Sequence, residues 1–90
     1  MEIEFDPSKR QDTLNERGLD MADAAAVFES EHVTMEDERI DYGETRYITV
    51  GFLVGRMVFL AWTPRGDARR IISMRKANDR EQKAYASRFR

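Results

Sequence analysis

The sequence contains no cysteine. Disulfide staples and thiolate metal sites are therefore excluded, and a small secreted disulfide scaffold with them. Histidine occurs once, at His32. There is no HExxH pair, no Cys/His spacing and no calcium-loop pattern, so no metal or cofactor is expected. No glycine-rich phosphate loop is present: Gly43, Gly51, Gly55 and Gly66 are spread through turns and strands. Long hydrophobic runs are missing as well. The longest, Met57 to Trp62, is far shorter than the roughly 20 residues of a membrane helix. The opening MEIEFDPSKR has neither a basic n-region nor an apolar h-region, which predicts no signal peptide, no membrane partner and a cytoplasmic location.

What remains is a chain of 90 residues, 41% of them hydrophobic, enough for one core and one domain over residues 1–90. A chain this short buries only about 60% of its unfolded surface, so its stability margin is narrow and a covering partner is a useful addition. The net charge of −2 hides a segregation. Residues 1–45 carry 14 Asp/Glu against 4 Lys/Arg, and residues 46–90 carry 11 Lys/Arg against 3 Asp/Glu. Such asymmetry points to nucleic acid or a charged partner, or to two halves that neutralise each other within one fold.

Ile3 and Phe5 alternate with acidic residues, as in a short edge strand. Asp6-Pro7 opens a helix, with Asp as N-cap and Pro at the first helical position. It runs to about Arg17 and ends at Gly18. Its apolar face is poor, with Leu14 its only large member. Asp20 caps a second helix, Met21 to Ser30, with Met21, Ala24, Ala25 and Phe28 on one stripe. Residues 31–45 read as a polar, acidic loop with a short extended piece near Val33 to Met35. Three strands follow: Arg46 to Leu53, Arg56 to Thr63 and Ala68 to Lys76. Val54-Gly55 and Pro64-Arg65-Gly66-Asp67 form the turns between them. Asn78 caps a last helix, with Glu81 three residues on completing a capping box.

This order, β-α-α-β-β-β-α, predicts an α+β fold with a mostly antiparallel sheet and helices packed on one face. The other face is expected to be open. Strict alternation along the last strand gives it either Arg69, Ser73 and Arg75, or Arg70 and Lys76.

Five segments together resemble the BrnT family of bacterial toxin ribonucleases. They are Glu4-Phe5-Asp6-Pro7-Ser8-Lys9, Ala25-Ala26-Val27-Phe28, Tyr42-Gly43-Glu44-Thr45-Arg46, Trp62-Thr63-Pro64-Arg65-Gly66-Asp67 and Arg70-Ile71-Ile72-Ser73-Met74-Arg75-Lys76-Ala77. The last two, nearly abutting, are the specific part. The resemblance implies a RelE-like fold and a ribonuclease, the toxin of a type II toxin–antitoxin pair, that inhibits translation by RNA cleavage. It also implies a cognate BrnA-like ribbon-helix-helix antitoxin that neutralises the toxin, and contact with operator DNA through that antitoxin. Dependence on the ribosome stays open. One departure stands out. The family pattern has Lys-His-Gly at the end of the first helix, with Asn a few residues before. This chain has Glu16-Arg17-Gly18, with Thr13 at the Asn place. If the family His is a general base, this chain lacks it, because Arg does not give up its proton near neutral pH.

Metal-independent RNA cleavage needs an aligned 2′-hydroxyl, a stabilised phosphorane and proton transfer. Arginine serves the second need, since its planar fork matches two phosphate oxygens. Arg65 and Arg75, inside the resembling segments, are the candidate catalytic cations. Glu44 is a candidate base and Tyr85 a candidate late proton donor. Arg46, Arg56, Arg69, Arg70 and Lys76 are the candidate RNA-binding cations. Each has a bland counterpart: solvated or ion-paired Arg, a loop-holding Glu44–Arg46 pair, and core or rim packing for Tyr85. Arg70 has a further alternative, on the helix-packed face with an acidic partner. His32 reads as an exposed loop residue, and Asp67 as a turn former. Three functions compete: an active endoribonuclease, a weakened relative that mainly binds its antitoxin and co-represses the operon, and an RNA-binding module that does not cleave.

Overall fold

Asp6 starts the first helix as its composition demands. In the computed structural model, which describes residues 1–89, its side chain accepts from the Ser8 N–H at 2.8 Å, and Pro7 occupies the first helical position. Strand β1 (Glu2–Phe5) precedes this helix, α1 (Pro7–Arg17), which Gly18 closes in the left-handed conformation at φ 68°. Asp20 then caps a 3-10 turn (Met21–Asp23) that leads into the short α2 (Ala24–Glu29). Four strands follow: β2 (Val33–Glu36), β3 (Tyr47–Leu53), β4 (Arg56–Arg65) and β5 (Ala68–Lys76). Helix α3 (Asp79–Ala86) and a 3-10 turn (Ser87–Phe89) end the described chain. The Asn78–Glu81 capping box forms in full.

The sheet order is β1-β5-β4-β3-β2, antiparallel except for the β1–β5 edge. The fold is α+β in the expected element order, with one more strand than the meander: the extended piece at Val33 pairs with β3 as β2. The second helix and β3 are each one residue shorter than the sequence reading, and two departures are larger. Strand β4 continues through Pro64 to Arg65, because proline at a strand end gives up little pairing. The second helix starts as a 3-10 turn, and its buried stripe is Met21, Ala24, Val27 and Phe28, with Ala25 half-buried.

The core has two sides. On one, Met21, Ala24, Val27 and Phe28 pack on Val58, Leu60, Trp62, Ile71 and Met74. Burying a large apolar side chain of this kind contributes about 1.5–3 kcal/mol. On the other side, Tyr85 and Phe89 pack with Phe52, Met57 and Phe59. The helices therefore do not share one face. The capping box turns α3 back over the second face at its Met57 end, where Phe52 and Phe59 offer an apolar seat. Only the remainder of that face stays open.

Candidate active site

The open part of the second face is defined by side-chain parity along four strands. On β4, Met57 and Phe59 face α3, so Ala61, Thr63 and Arg65 continue the same row. On β5 the parity changes part-way. Trp62 pairs with Ile71 and Ala61 with Ser73, so Ile72 has no partner and forms a bulge. The extra residue resets the alternation. Ile71 and Met74 both point into the helical core, and Arg70, Ser73 and Arg75 share the opposite face. Neither of the two sets given by strict alternation is the observed one.

Contacts confirm the sides. Arg70 meets Glu4 of β1 at 3.6 Å, away from Ile3 and Phe5, which join the helical core. Arg69 lies on the helical side, its guanidinium 4.3 Å from the Phe28 ring centre and 4.8 Å from that of Trp62. The helix-face position considered for Arg70 is thus taken by Arg69. Arg56 sits beside the β3–β4 hairpin, and Lys76 lines a depression with Leu14, Leu19 and Arg56. Arg56, Arg69 and Lys76 are therefore not part of the open face, because the hairpin end and the bulge direct them elsewhere.

At the Arg65 end, the segment before β3 brings two more groups. It is a built loop rather than a solvated run. Asp37 N–H donates to the Arg46 carbonyl at 2.8 Å and closes it. The Asp37 side chain, only 3% exposed, accepts two bonds from the Arg39 guanidinium and one from the Tyr42 hydroxyl. The Arg39 guanidinium holds the Asp37 carboxyl well below the usual carboxylate range. The Arg46 guanidinium lies 3.9 Å over the Tyr42 ring. Gly43 turns the chain at φ 74°, a backbone angle open mainly to glycine. Thr63 donates to the Thr45 carbonyl at 2.7 Å and ties the loop to β4. Glu44 then stands between two arginines, 3.2 Å from Arg46 and 3.8 Å from Arg65. Sequence reading brought Glu44, Arg46, Arg65 and Arg70 forward as candidates, and the sheet gathers all four at this end.

At the other end, Arg75 lies 4.5 Å over the Phe59 ring and donates to both Glu81 oxygens at 2.7 Å. That fork, with help from the Asn78 N–H, holds the Glu81 carboxyl down to about 2, and Glu81 in turn raises the Arg75 pKa. Tyr85 stands edge-on to Phe59, and its hydroxyl reaches the Met35 sulfur at 3.6 Å. A groove of about 450 Å³ runs between this cluster and the Asp37–Arg39 arm, over a floor that includes Ala61 and Ser73. Arg39 carried no signal in the sequence, because it is in a stretch that reads as solvated; Ser73 was expected beside Arg75 in one of the two sets, and the bulge puts Arg70 in place of Arg69 in that set.

Arg65 and Arg75 do not converge on one point. Arg75 pairs with Phe59, six residues along β4 from Arg65, a span of about 20 Å. They bracket the floor between them. The first helix contributes from the edge. Strand β1 covers β5 only to Ile71, and Arg17 donates to the Met74 carbonyl at 2.9 Å beyond that point. Arg17 thus braces β5. Thr13 is the buried residue of α1 and lines a small hollow with Ile72, Ser73 and Arg17. His32 is exposed, donates to the Ser30 carbonyl and stands edge-on to Phe28, so the open face has no imidazole.

A family model described as "Ribonuclease toxin, BrnT, of type II toxin-antitoxin system" matches residues 5–81. The chain belongs to the BrnT family. It is accordingly a ribonuclease toxin of a type II toxin–antitoxin system, with RNA as substrate class and an antitoxin as partner. The BrnT match spans Glu44, Arg46, Arg65, Arg70, Ser73, Arg75 and Glu81, while Tyr85 lies beyond it. No curated protein matches the chain. Among the described residues no helix is long and apolar enough to cross a membrane.

Proposed function

We propose that residues 1–90 form a single toxin domain that cleaves RNA on this open face without a metal and so inhibits translation in the cytoplasm. The single observation that supports the reading is the placing of Arg46 and Arg65 around one carboxylate, Glu44, at the uncovered end of the sheet, with Arg70 on the neighbouring strand opposite Thr63. Glu44 is held by loose contacts of 3.2 and 3.8 Å, which a phosphate can replace. In this reading Glu44 takes the 2′-hydroxyl proton as that oxygen attacks phosphorus; the P–O5′ bond breaks, leaving a 2′,3′-cyclic phosphate, and the departing 5′-oxygen takes its proton from water. Arg65 and Arg46 donate to the phosphorane oxygens, where charge builds up. Arg70 and Arg75 hold neighbouring phosphates along the strand. Tyr85 meets RNA from the α3 side, too far from Glu44 to serve the same phosphorus. A BrnA-like ribbon-helix-helix antitoxin neutralises the toxin, and the pair reaches operator DNA through the antitoxin.

The test is purified protein with labelled RNA in EDTA, beside growth of cells expressing the toxin alone. Glu44→Gln and Arg65→Ala should each lower cleavage by about 100-fold or more. Arg75→Ala should raise KM more than it lowers kcat. Arg65→Ala combined with Arg75→Ala should relieve growth arrest. Growth arrest unchanged by the pair, or cleavage abolished by EDTA, would overturn the site or its metal independence respectively.

One observation favours a second reading, a weakened toxin that acts mainly as antitoxin-binding co-repressor. Where the family pattern has Lys-His, Glu16 is exposed and Arg17 is committed to the Met74 carbonyl. Glu16→Lys with Arg17→His should then raise cleavage sharply. Unchanged cleavage counts against this reading.

A further inference from the structure

On the open face the Arg75 fork is filled by a carboxylate from another element, Glu81 of α3. Its two terminal nitrogens meet the two Glu81 oxygens, both at 2.7 Å, while Phe59 supports the guanidinium plane. A planar fork matched by two oxygens is also how arginine takes a phosphate. The groove that opens beside the pair is lined by Ser73, Ala61, Tyr85 and Arg39. A phosphate lying there would meet the two terminal nitrogens of Arg75 where Glu81 now sits. We propose that Glu81 occupies the phosphodiester position of Arg75, so that RNA enters this groove by displacing the chain's own carboxylate. This rests on the reading of the open face as the RNA site.

Displacement does not require α3 to move. Glu81 also accepts from the Asn78 N–H at 3.0 Å through Oε1, and its own N–H donates to Asn78. The cap can survive through these two Asn78 bonds while both bonds from Arg75, to Oε1 and Oε2, are exchanged. The electrostatics run the same way. Glu36, Asp37, Glu38 and Glu81 line the groove against Arg39 and Arg75, so its closed form disfavours RNA. Freeing the Arg75 fork admits one phosphate at one defined place. A purely positioning role for Glu81 predicts the opposite sign, since loss of the brace would then weaken binding.

The experiment uses the full chain as wild type, Glu81→Gln, Glu38→Gln, Arg75→Lys and the Glu81→Gln/Arg75→Lys double variant. Glutamine at this third helical position keeps the capping box while removing the charge. Unchanged helical circular dichroism checks that α3 is intact. The first probe is a labelled 2′-deoxy oligonucleotide, which lacks the attacking hydroxyl and stays whole, read by fluorescence anisotropy at fixed low salt. Glu81→Gln should bind about tenfold tighter or more. Glu38→Gln, a groove carboxylate with no bond to Arg75, should gain much less, and the double variant should lose the gain. Equal gains from Glu81→Gln and Glu38→Gln, or weaker binding by Glu81→Gln, overturn the proposal. The second probe is inorganic phosphate, read as a rise in melting temperature. If no protein binds the oligonucleotide but phosphate stabilises Glu81→Gln more than wild type, the displacement stands and the RNA reading of the face falls. Equal stabilisation of the two by phosphate overturns the displacement itself.

Discussion

Thr49 shows how one side chain organises the core on the helical side. It is wholly buried, accepts from the Trp62 indole N–H at 2.8 Å, and shares a hydrogen bond with Thr34 at the same distance. Thr49→Val keeps the shape but leaves the buried indole N–H without a partner. That should cost about 1–3 kcal/mol, seen as a lower melting temperature and altered Trp62 fluorescence. An unchanged melting temperature would show that the indole finds another acceptor. Arg69 makes a related point. A sequence of neighbouring arginines, Arg69 and Arg70, gives no sign that one stacks on Phe28 and Trp62 while the other meets Glu4. Identity of residue type was readable; the side of the sheet was not.

At the scale of elements, β5 decides the site. Its bounds, Ala68 to Lys76, follow from the sequence, as do the Asp6 cap, the Gly18 stop and the Asn78–Glu81 box. These are local signals, set by backbone angles and nearby donors. The bulge at Ile72 is not local. It reconciles β5 with β4 on one side and with α1 on the other, where Ile72 lies near Thr13 and Arg17. Deleting Ile72 should therefore leave a regular strand with Ile71 and Met74 still inside and Arg70 and Arg75 still together. Deleting Met74 instead should bring Ser73 into the core position and cost about 2–5 kcal/mol, as large apolar truncations do. Comparing thermal unfolding of the two deletions checks this. A Met74 deletion as stable as the Ile72 deletion would contradict the assigned register.

For the molecule as a whole, the acidic and basic halves do meet, but sparingly. Glu44 with Arg46 and Arg65, and Glu4 with Arg70, cross between them. Arg10–Asp20 and Arg39–Asp37 stay within the first half, and Arg75–Glu81 within the second. Acid stability follows from these pairs. Arg10 holds the Asp20 carboxyl at about 2 against the usual 3.8, and Arg75 holds Glu81 at about 2 against 4.5. Folded-state values below the unfolded ones mean stability that is fully present above the ordinary carboxylate range. It is lost as pH falls through that range toward about 2. The melting temperature should therefore drop between about pH 5 and pH 2, and Asp20→Asn with Glu81→Gln should flatten that drop. Both groups are partly exposed, so the effect should shrink as salt is added. A drop of the same size in the double variant would place the acid sensitivity elsewhere.

The sequence by itself determined the element order, the helix ends, the charge segregation and the family, because caps, turns and motifs are written in consecutive residues. It also supplied Glu44, Arg46, Arg65, Arg70 and Arg75 as chemistry-bearing groups. The tertiary structure decided which of them share a surface. One unpaired residue in β5 turned Arg70 and Arg75 to the same side, and an apolar seat on Phe52, Met57 and Phe59 drew α3 across half of it. Both outcomes depend on contacts between strands far apart in the chain. Alternation within a single strand has a period of two and cannot register one extra residue.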